Sequence, residues 1–338
     1  MPSLGSLIHL SLEKGNSLAE LRDLNLGGEL SIKGLNNVGS LSEAREANLM
    51  CKKDLQVLQL SWKIMDDEFT KTPAVNAEQL LEVLQPHSNL KRLNCVRLSS
   101  IGKLQSLKRL ELWSMDNLKY LDDECHDGME VRVFPSLEEL VLAALPNIEG
   151  LLKVERGVIF PCLSKLEIDN CPKLGLLTCL PSLKQLNVSG CNNELLRSIS
   201  TFCSLTSLSL NRGDGITSFP ERMFTNLAFL KTLDIFYFPK LKELPNQPFN
   251  LALERLEMSH CDELESLPEQ IWESLQSLRS LTIQYCKGLR WLPEGIRHLT
   301  SLEVLEIREC PTLEERCKEG TGEDWDKIAH IPKLRFGW

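Results

Sequence analysis

No apolar run in this sequence approaches the ~18 uninterrupted residues that a membrane-spanning helix needs. The opening stretch, Met1-Pro-Ser-Leu-Gly-Ser-Leu-Ile-His-Leu-Ser-Leu-Glu-Lys14, lacks the basic start and continuous apolar core of a secretory signal. Among twelve cysteines there is no C-x-x-C pair. Together these absences point to an intracellular chain, expected in the cytoplasm with the nucleus also open. Positive charge is also short: the formal net charge is −9 and the pI about 5.4, which argues against a general binder of nucleic acid or anionic membrane.

Catalytic and cofactor signatures are missing as well. A phosphate-cradling loop needs G-x-x-x-x-G-K-[ST]. The Gly102-Lys103 pair has Arg97 where the first glycine belongs and Leu104 where the hydroxyl belongs. The six histidines show neither H-x-x-x-H nor H-E-x-x-H spacing, and no G-x-S-x-G elbow occurs. Asp122-Asp-Glu-Cys-His-Asp127 is the densest group of metal-type ligands. It lacks the spaced oxygens of a calcium loop and the separated pairs of a zinc site, so it reads as a solvated acidic loop. No catalytic, metal or cofactor residue is assigned, and no enzyme is expected.

What is present is a repeat. Leu253-Glu-Arg-Leu256-Glu-Met258-Ser-His-Cys261-Asp-Glu-Leu264-Glu-Ser-Leu267-Pro268 returns as Leu278-Arg-Ser-Leu281-Thr-Ile283-Gln-Tyr-Cys286-Lys-Gly-Leu289-Arg-Trp-Leu292-Pro293, then as Leu302 to Leu313. The template is L-x-x-L-x-L-x-x-C-x-x-L. Alternation across Leu281-Thr-Ile283 is the period of a strand, and the later leucines suit a turn folding back over it. One unit cannot bury its apolar side alone, so neighbours must stack. The expected fold is an α/β leucine-rich-repeat solenoid, a curved horseshoe with a parallel sheet on the concave face. Short irregular, 3-10 or helical segments line the convex face.

The chain reads as one such domain over 1–338: early irregular repeats to residue 100 with two helices, regular repeats over 101–313, and a terminal cap over 314–338. Ser40 and Glu43 make a capping box before a helix through Ala44 to Met50. Asn76 caps a second helix, Ala77 to Leu84, that Pro86 ends. Leu7-Ile-His-Leu10-Ser-Leu12 begins the array without a cap, as expected if residues upstream have been lost or belong to another segment. The strand after Leu93 arrives at Leu110, only 17 residues on, so that unit is either compressed or incomplete. From Leu110 the fourth-position leucines follow at gaps of 30, 26, 20, 22, 25, 23, 25 and 24 residues. Such irregularity belongs on the convex side. Leu-Pro pairs at 244–245, 267–268 and 292–293 mark that return and argue against long helices there. Cys171, Cys191, Cys261, Cys286 and Cys310 share one template position, which favours packed thiols over disulfides. The sequon Asn187-Val-Ser189 falls inside an expected strand.

With chemistry absent, the strand template says which surface is available. One outward column reads Glu111, Val141, Glu167, Asn187, Ser209, Asp234, Glu257, Thr282, Glu306; the next reads Trp113, Ala143, Asp169, Ser189, Asn211, Phe236, Ser259, Gln284, Arg308. Rings at Trp113, Phe236, Tyr237 and Tyr285, with His260 between repeats, are candidate anchors for a protein partner. They would equally arise from rings packing along the ladder. The candidate partner-binding set is Trp113, Glu167, Asp169, Asp234, Phe236, Tyr237, Glu257, His260, Gln284, Tyr285 and Arg308. Its acidic column favours a basic partner or a basic surface elsewhere in the same polypeptide, or serves solubility alone.

Leu26-Gly-Gly-Glu-Leu-Ser-Ile-Lys-Gly-Leu35-Asn-Asn-Val38, Glu43-Ala-Arg-Glu-Ala-Asn-Leu49, Lys53-Asp-Leu55 and Leu58-Gln-Leu-Ser-Trp62 resemble the early repeats of plant nucleotide-binding leucine-rich-repeat (NLR) disease-resistance proteins of the coiled-coil class. Gly322-Glu-Asp-Trp-Asp-Lys-Ile-Ala-His-Ile-Pro332 resembles the carboxyl terminus of that family. The resemblance implies the recognition part of an intracellular immune receptor. Such a part senses a pathogen effector or a guarded host protein and restrains an intramolecular nucleotide-binding switch. Neither the coiled coil nor the nucleotide-binding domain is in these 338 residues, so ADP or ATP carries over to no residue here. The alternative is a free-standing repeat scaffold or adaptor without a switch.

Overall fold

The computed structural model describes residues 7–12, 16–61, 75, 79–80, 83–95, 105–115, 118–121, 134–152, 160–175, 177, 180–246 and 252–337. The acidic loop at 122–127, the Gly102-Lys103 pair, Trp62 and Asn76 lie outside them. The chain divides into two compact units, Met1–Leu163 and Ser164–Trp338.

The first unit contains β1 (Ile8–Ser11), β2 (Gly28–Lys33), β3 (Leu55–Ser61), β4 (Arg92–Cys95), β5 (Arg109–Trp113) and β6 (Glu139–Ala143). Each pairs in parallel with the next. The short unit keeps register: β4 pairs directly with β5, Leu93 opposite Leu110. The first helix, α1 (Leu41–Glu46), is shorter than expected, and a 3-10 turn over Leu49–Cys51 follows it. Asn48 breaks the run with a left-handed φ of 48°. Only half of the expected capping box forms. Ser40 accepts from the Glu43 N–H, but Glu43 Oε1 turns away to take the Leu18 N–H at 3.2 Å and the Ser17 hydroxyl at 2.8 Å. The reciprocal box is instead Ser17 with Glu20. Of the second helix, residues 79, 80, 83 and 84 are described; the first three are helical and Leu84 is in a turn.

The second unit contains β7 (Lys165–Asp169), β8 (Gln185–Ser189), β9 (Ser207–Asn211), β10 (Thr232–Phe236), β11 (Arg255–Ser259), β12 (Ser280–Gln284), β13 (Val304–Arg308) and β14 (Lys333–Phe336). All neighbours are parallel. Leu208, Leu233, Leu256, Leu281 and Leu305 face one another across successive ladders. They and the residues two further on (Leu210, Ile235, Met258, Ile283, Ile307) are buried. Parallel register is what allows this, because a slip of one residue would turn every leucine outward. Each unit is thus a stretch of leucine-rich-repeat solenoid, its core lying between the sheet and the returning turns.

The return side is built as the prolines imply. Pro268 and Pro293 each sit in extended backbone at the head of a short 3-10 helix, Glu269–Ser274 and Glu294–His298. A true helix, α2 (Asn193–Ser198), forms where Asn192 supplies a side-chain cap to the Leu195 N–H at 2.8 Å. The repeated cysteines are free thiols, with Cys171, Cys261, Cys286 and Cys310 buried and Cys191 partly so. Burial pushes the Cys191 thiol up to about 12. Hydrogen bonding to Cys261, together with burial, does the same to Cys286.

After β13 come α3 (Pro311–Arg316), α4 (Trp325–Ile328) and the added strand β14, which the sequence pattern did not signal. Between the helices lies an ion cluster centred on the buried Asp324. Arg316 binds Asp324 through Nε at 3.0 Å and Nη2 at 3.1 Å, and Lys327 Nζ lies 2.9 Å from Asp324 Oδ1 and 3.0 Å from Glu294. These residues fall in and around the closing Gly322-to-Pro332 motif.

Candidate functional site

Alternation along each strand sends the residue before the inner leucine, the one between the two apolar residues, and the one after them to the outer face of the sheet. In the second unit this face is half-buried and polar, and its charges are largely matched from within. Lys165 pairs with Glu167 at 2.6 Å, two residues apart on one strand. Arg255 is hydrogen-bonded to Glu257 and lies 3.9 Å from Asp234. Glu306 collects Arg308 at 3.2 Å, Arg335 at 3.3 Å and the Gln284 amide at 2.8 Å. The first unit repeats the device: Arg109 pairs with Glu111 at 2.6 Å and also reaches Glu139. The acidic column is therefore no free negative stripe. A base-Leu-acid triplet on a strand (Arg109-Leu-Glu111, Lys165-Leu-Glu167, Arg255-Leu-Glu257) was the signal for this, since period 2 puts both charges on one face.

Asp234 is the exception in kind. Burial raises its carboxyl above the usual range, Arg255 pulling it down and Glu257 pushing it up. Its Oδ1 accepts no hydrogen bond, nor does Asn211 Oδ1 on the neighbouring strand. Asp169 is exposed and has no ion pair among the described residues.

A second regularity lies just past the strands. The residue following each of β7 to β13 is left-handed: Asn170, Gly190, Arg212, Tyr237, His260, Tyr285 and Glu309 have φ between 50° and 80°. The N–H groups of the first six continue the ladder. Tyr237 donates to Ser259 O at 2.9 Å, His260 to Gln284 O at 3.1 Å and Tyr285 to Arg308 O at 3.0 Å. Glycine, as at Gly190, meets this conformation without steric penalty, whereas an L side chain is disfavoured by roughly 1–2 kcal/mol. Three consecutive repeats nevertheless place rings there. Tyr237 and His260 stack at 4.2 Å between centroids and 18° between planes; His260 and Tyr285 stack at 4.5 Å and 20°. Tyr237 stays 49% exposed and Tyr285 39%. Ser259 Oγ lies 2.7 Å from His260 Nδ1 and anchors the central ring.

The structure thus brings together Phe236, Tyr237, His260, Gln284, Tyr285 and Arg308 along β10 to β13, with Asp234 and Glu257 one column in. Glu167 and Asp169 sit on β7 of the same unit. Trp113 belongs to the first unit, at the end of β5, and is 47% exposed. Beside it Val141 and Ala143, expected on the outward columns, are buried. Ala143 is paired opposite Trp113. An open depression of about 660 Å³, unmarked by any sequence motif, is bounded by Asp169, Ser189, Asn211, Arg212, Asp214 and Tyr237.

Among the described residues no group of three or more His, Cys, Asp or Glu is placed to hold a metal ion, and no helix is long and apolar enough to cross a membrane.

A family model described as R13L1/DRL21 leucine-rich repeats matches residues 18–145. Three proteins of Solanum bulbocastanum, named as disease resistance proteins RGA1, RGA4 and RGA2, are 41%, 39% and 36% identical to the chain over 95%, 99% and 99% of its length. The chain spans 35%, 37% and 36% of the length of those relatives. By these matches and its repeat architecture, the chain belongs to the plant NLR disease-resistance family and corresponds to its leucine-rich-repeat portion.

Proposed function

We propose that this chain is the protein-recognition domain of an intracellular plant immune receptor, docking a pathogen effector or a modified host protein on the strand face of its second unit. In the same reading it restrains a nucleotide-binding switch until that contact forms. The observation that carries the docking reading is the pile of rings at Tyr237, His260 and Tyr285. It is exposed, ordered by its own stacking and held in backbone that costs stability, so its presence calls for a use beyond folding. Self-neutralised charges around it provide a polar rim that discriminates among partners without dominating affinity. The resistance-family relatives support the immune setting. This is binding chemistry, and no residue is assigned a catalytic role.

The test is a leaf assay against a panel of pathogen strains. It compares the native protein with a Tyr237→Ser/Tyr285→Ser variant and a Phe229→Ser control at matched abundance. Phe229 is 65% exposed in the loop before β10, away from the ring pile. The reading expects strain responses to change in the double variant and not in the control. Identical responses from all three proteins would contradict it.

A further inference from the structure

The ring pile is open at one end. Tyr237 has one face covered by His260, which follows β11. The depression that Tyr237 bounds is lined otherwise by residues of β7, β8 and β9 and the turn after β9, on the side away from His260. An occupant of that space continues the stack against the free face of Tyr237, and a flat group fits this geometry best.

Electrostatics narrow the choice. Asp169, Arg212 and Asp214 all border the depression, all are exposed, and none has an ion pair among the described residues. Elsewhere on this face Glu167, Glu257 and Glu306 are taken up by Lys165, Arg255, Arg308 and Arg335. The two carboxylates against one guanidinium leave a local excess of one negative charge. Asn211 Oδ1 at the same wall lacks a donor, and turning its amide about the Cβ–Cγ bond presents that acceptor to an occupant. Planar, cationic and rich in N–H donors describes a guanidinium, which both stacks on aromatic faces and forks onto carboxylates; an ammonium does only the second well.

We propose that this depression is a socket for an arginine side chain of the protein partner, the guanidinium lying on Tyr237 and donating to Asp214 and Asn211, with Asp169 at the far rim adding longer-range attraction. The proposal rests on the docking reading above and adds to it one side chain of the partner.

The experiment titrates the isotope-labelled full chain with three blocked tripeptides, Gly-Arg-Gly, Gly-Lys-Gly and Gly-citrulline-Gly, and follows amide shifts at Asn211, Arg212, Asp214 and Tyr237. The arginine peptide is expected to give saturable shifts there and to bind at least about threefold tighter than the lysine peptide, with citrulline weaker still. Asp214→Asn should weaken the arginine peptide. Arg212→Gln, which removes the competing cation, should tighten it, a gain that misfolding cannot mimic. Equal binding of lysine or citrulline, shifts scattered over the exposed carboxylates, no shifts, or an unchanged affinity in Arg212→Gln overturns the socket. This readout needs no cellular partner. Its failure leaves the leaf assay standing, and a negative leaf assay leaves the titration interpretable.

Discussion

The Asp324 carboxylate accepts the backbone N–H of Leu292 at 3.0 Å, and Lys327 Nζ donates to the Leu292 carbonyl at 2.6 Å. Two side chains of the closing motif thus grip both polar groups of one residue in the return segment of an earlier repeat. Asp324 is fully buried, so losing it leaves the Leu292 N–H unpaired and takes one carboxylate partner each from Lys327 and Arg316. Asp324→Ala is expected to cost about 3 kcal/mol, read by chemical denaturation. A loss below about 1 kcal/mol would mean the cluster contributes little.

The same group sets a pH dependence. Burial alone would raise the Asp324 carboxyl; Arg316, the Leu292 N–H and Lys327 outweigh it and hold the group below its ordinary value. A depressed folded pKa contributes stability that is present above the unfolded value, near 4, and is lost as pH falls through the folded one. Stability should therefore decline below about pH 4, and the decline should be smaller in Asp324→Asn. Equal acid sensitivity in both proteins would contradict this assignment.

Leu256 and Glu257 are adjacent yet face opposite ways. Leu256→Asp buries a charge without a partner and should cost more than about 4 kcal/mol. Glu257→Ala removes a surface pair and should cost within about 1 kcal/mol. Urea melts of the two variants decide it, and equal losses would invert the assigned faces.

At His260, with φ of 57°, the backbone favours glycine. His260→Gly should be more stable than His260→Ala by about 1 kcal/mol, although both lose the ring stack. The reverse order in thermal melts would show that the left-handed turn is not held in solution.

Thiol reactivity should split by position. Cys51, Cys162 and Cys203 are exposed, whereas Cys171, Cys261, Cys286, Cys310 and Cys317 are buried. Maleimide labelling of the native protein, read by peptide mass spectrometry, should reach the first three quickly. The buried five should react only on unfolding. Fast labelling of Cys286 would contradict a packed cysteine ladder.

The repeat and its register were readable because leucine spacing reports burial directly: the partners Leu233, Leu256 and Leu281 face one another as the template implies. The identity of the outer face followed from the same alternation. Pairing between outward charges did not emerge, because the acidic column was read alone, apart from the bases two residues earlier on the same strands. The left-handed turn after β7 to β13 was hidden by its occupants, since glycine marks it at position 190 while tyrosine and histidine hold it at 237, 260 and 285. The depression beside Tyr237 draws on four successive repeats and has no local signature. β14 was masked by the polar Lys333-Leu-Arg-Phe336 sequence, which fits a half-covered terminal strand rather than the repeat template.

The most direct test of docking on the strand face is site-specific photocrosslinking in challenged plant tissue. A photoreactive phenylalanine replaces Tyr285 in one protein and Phe229 in another. The account predicts a discrete crosslinked protein from position 285 that is absent from position 229. The same species from both positions, or crosslinks from 229 with none from 285, would contradict it.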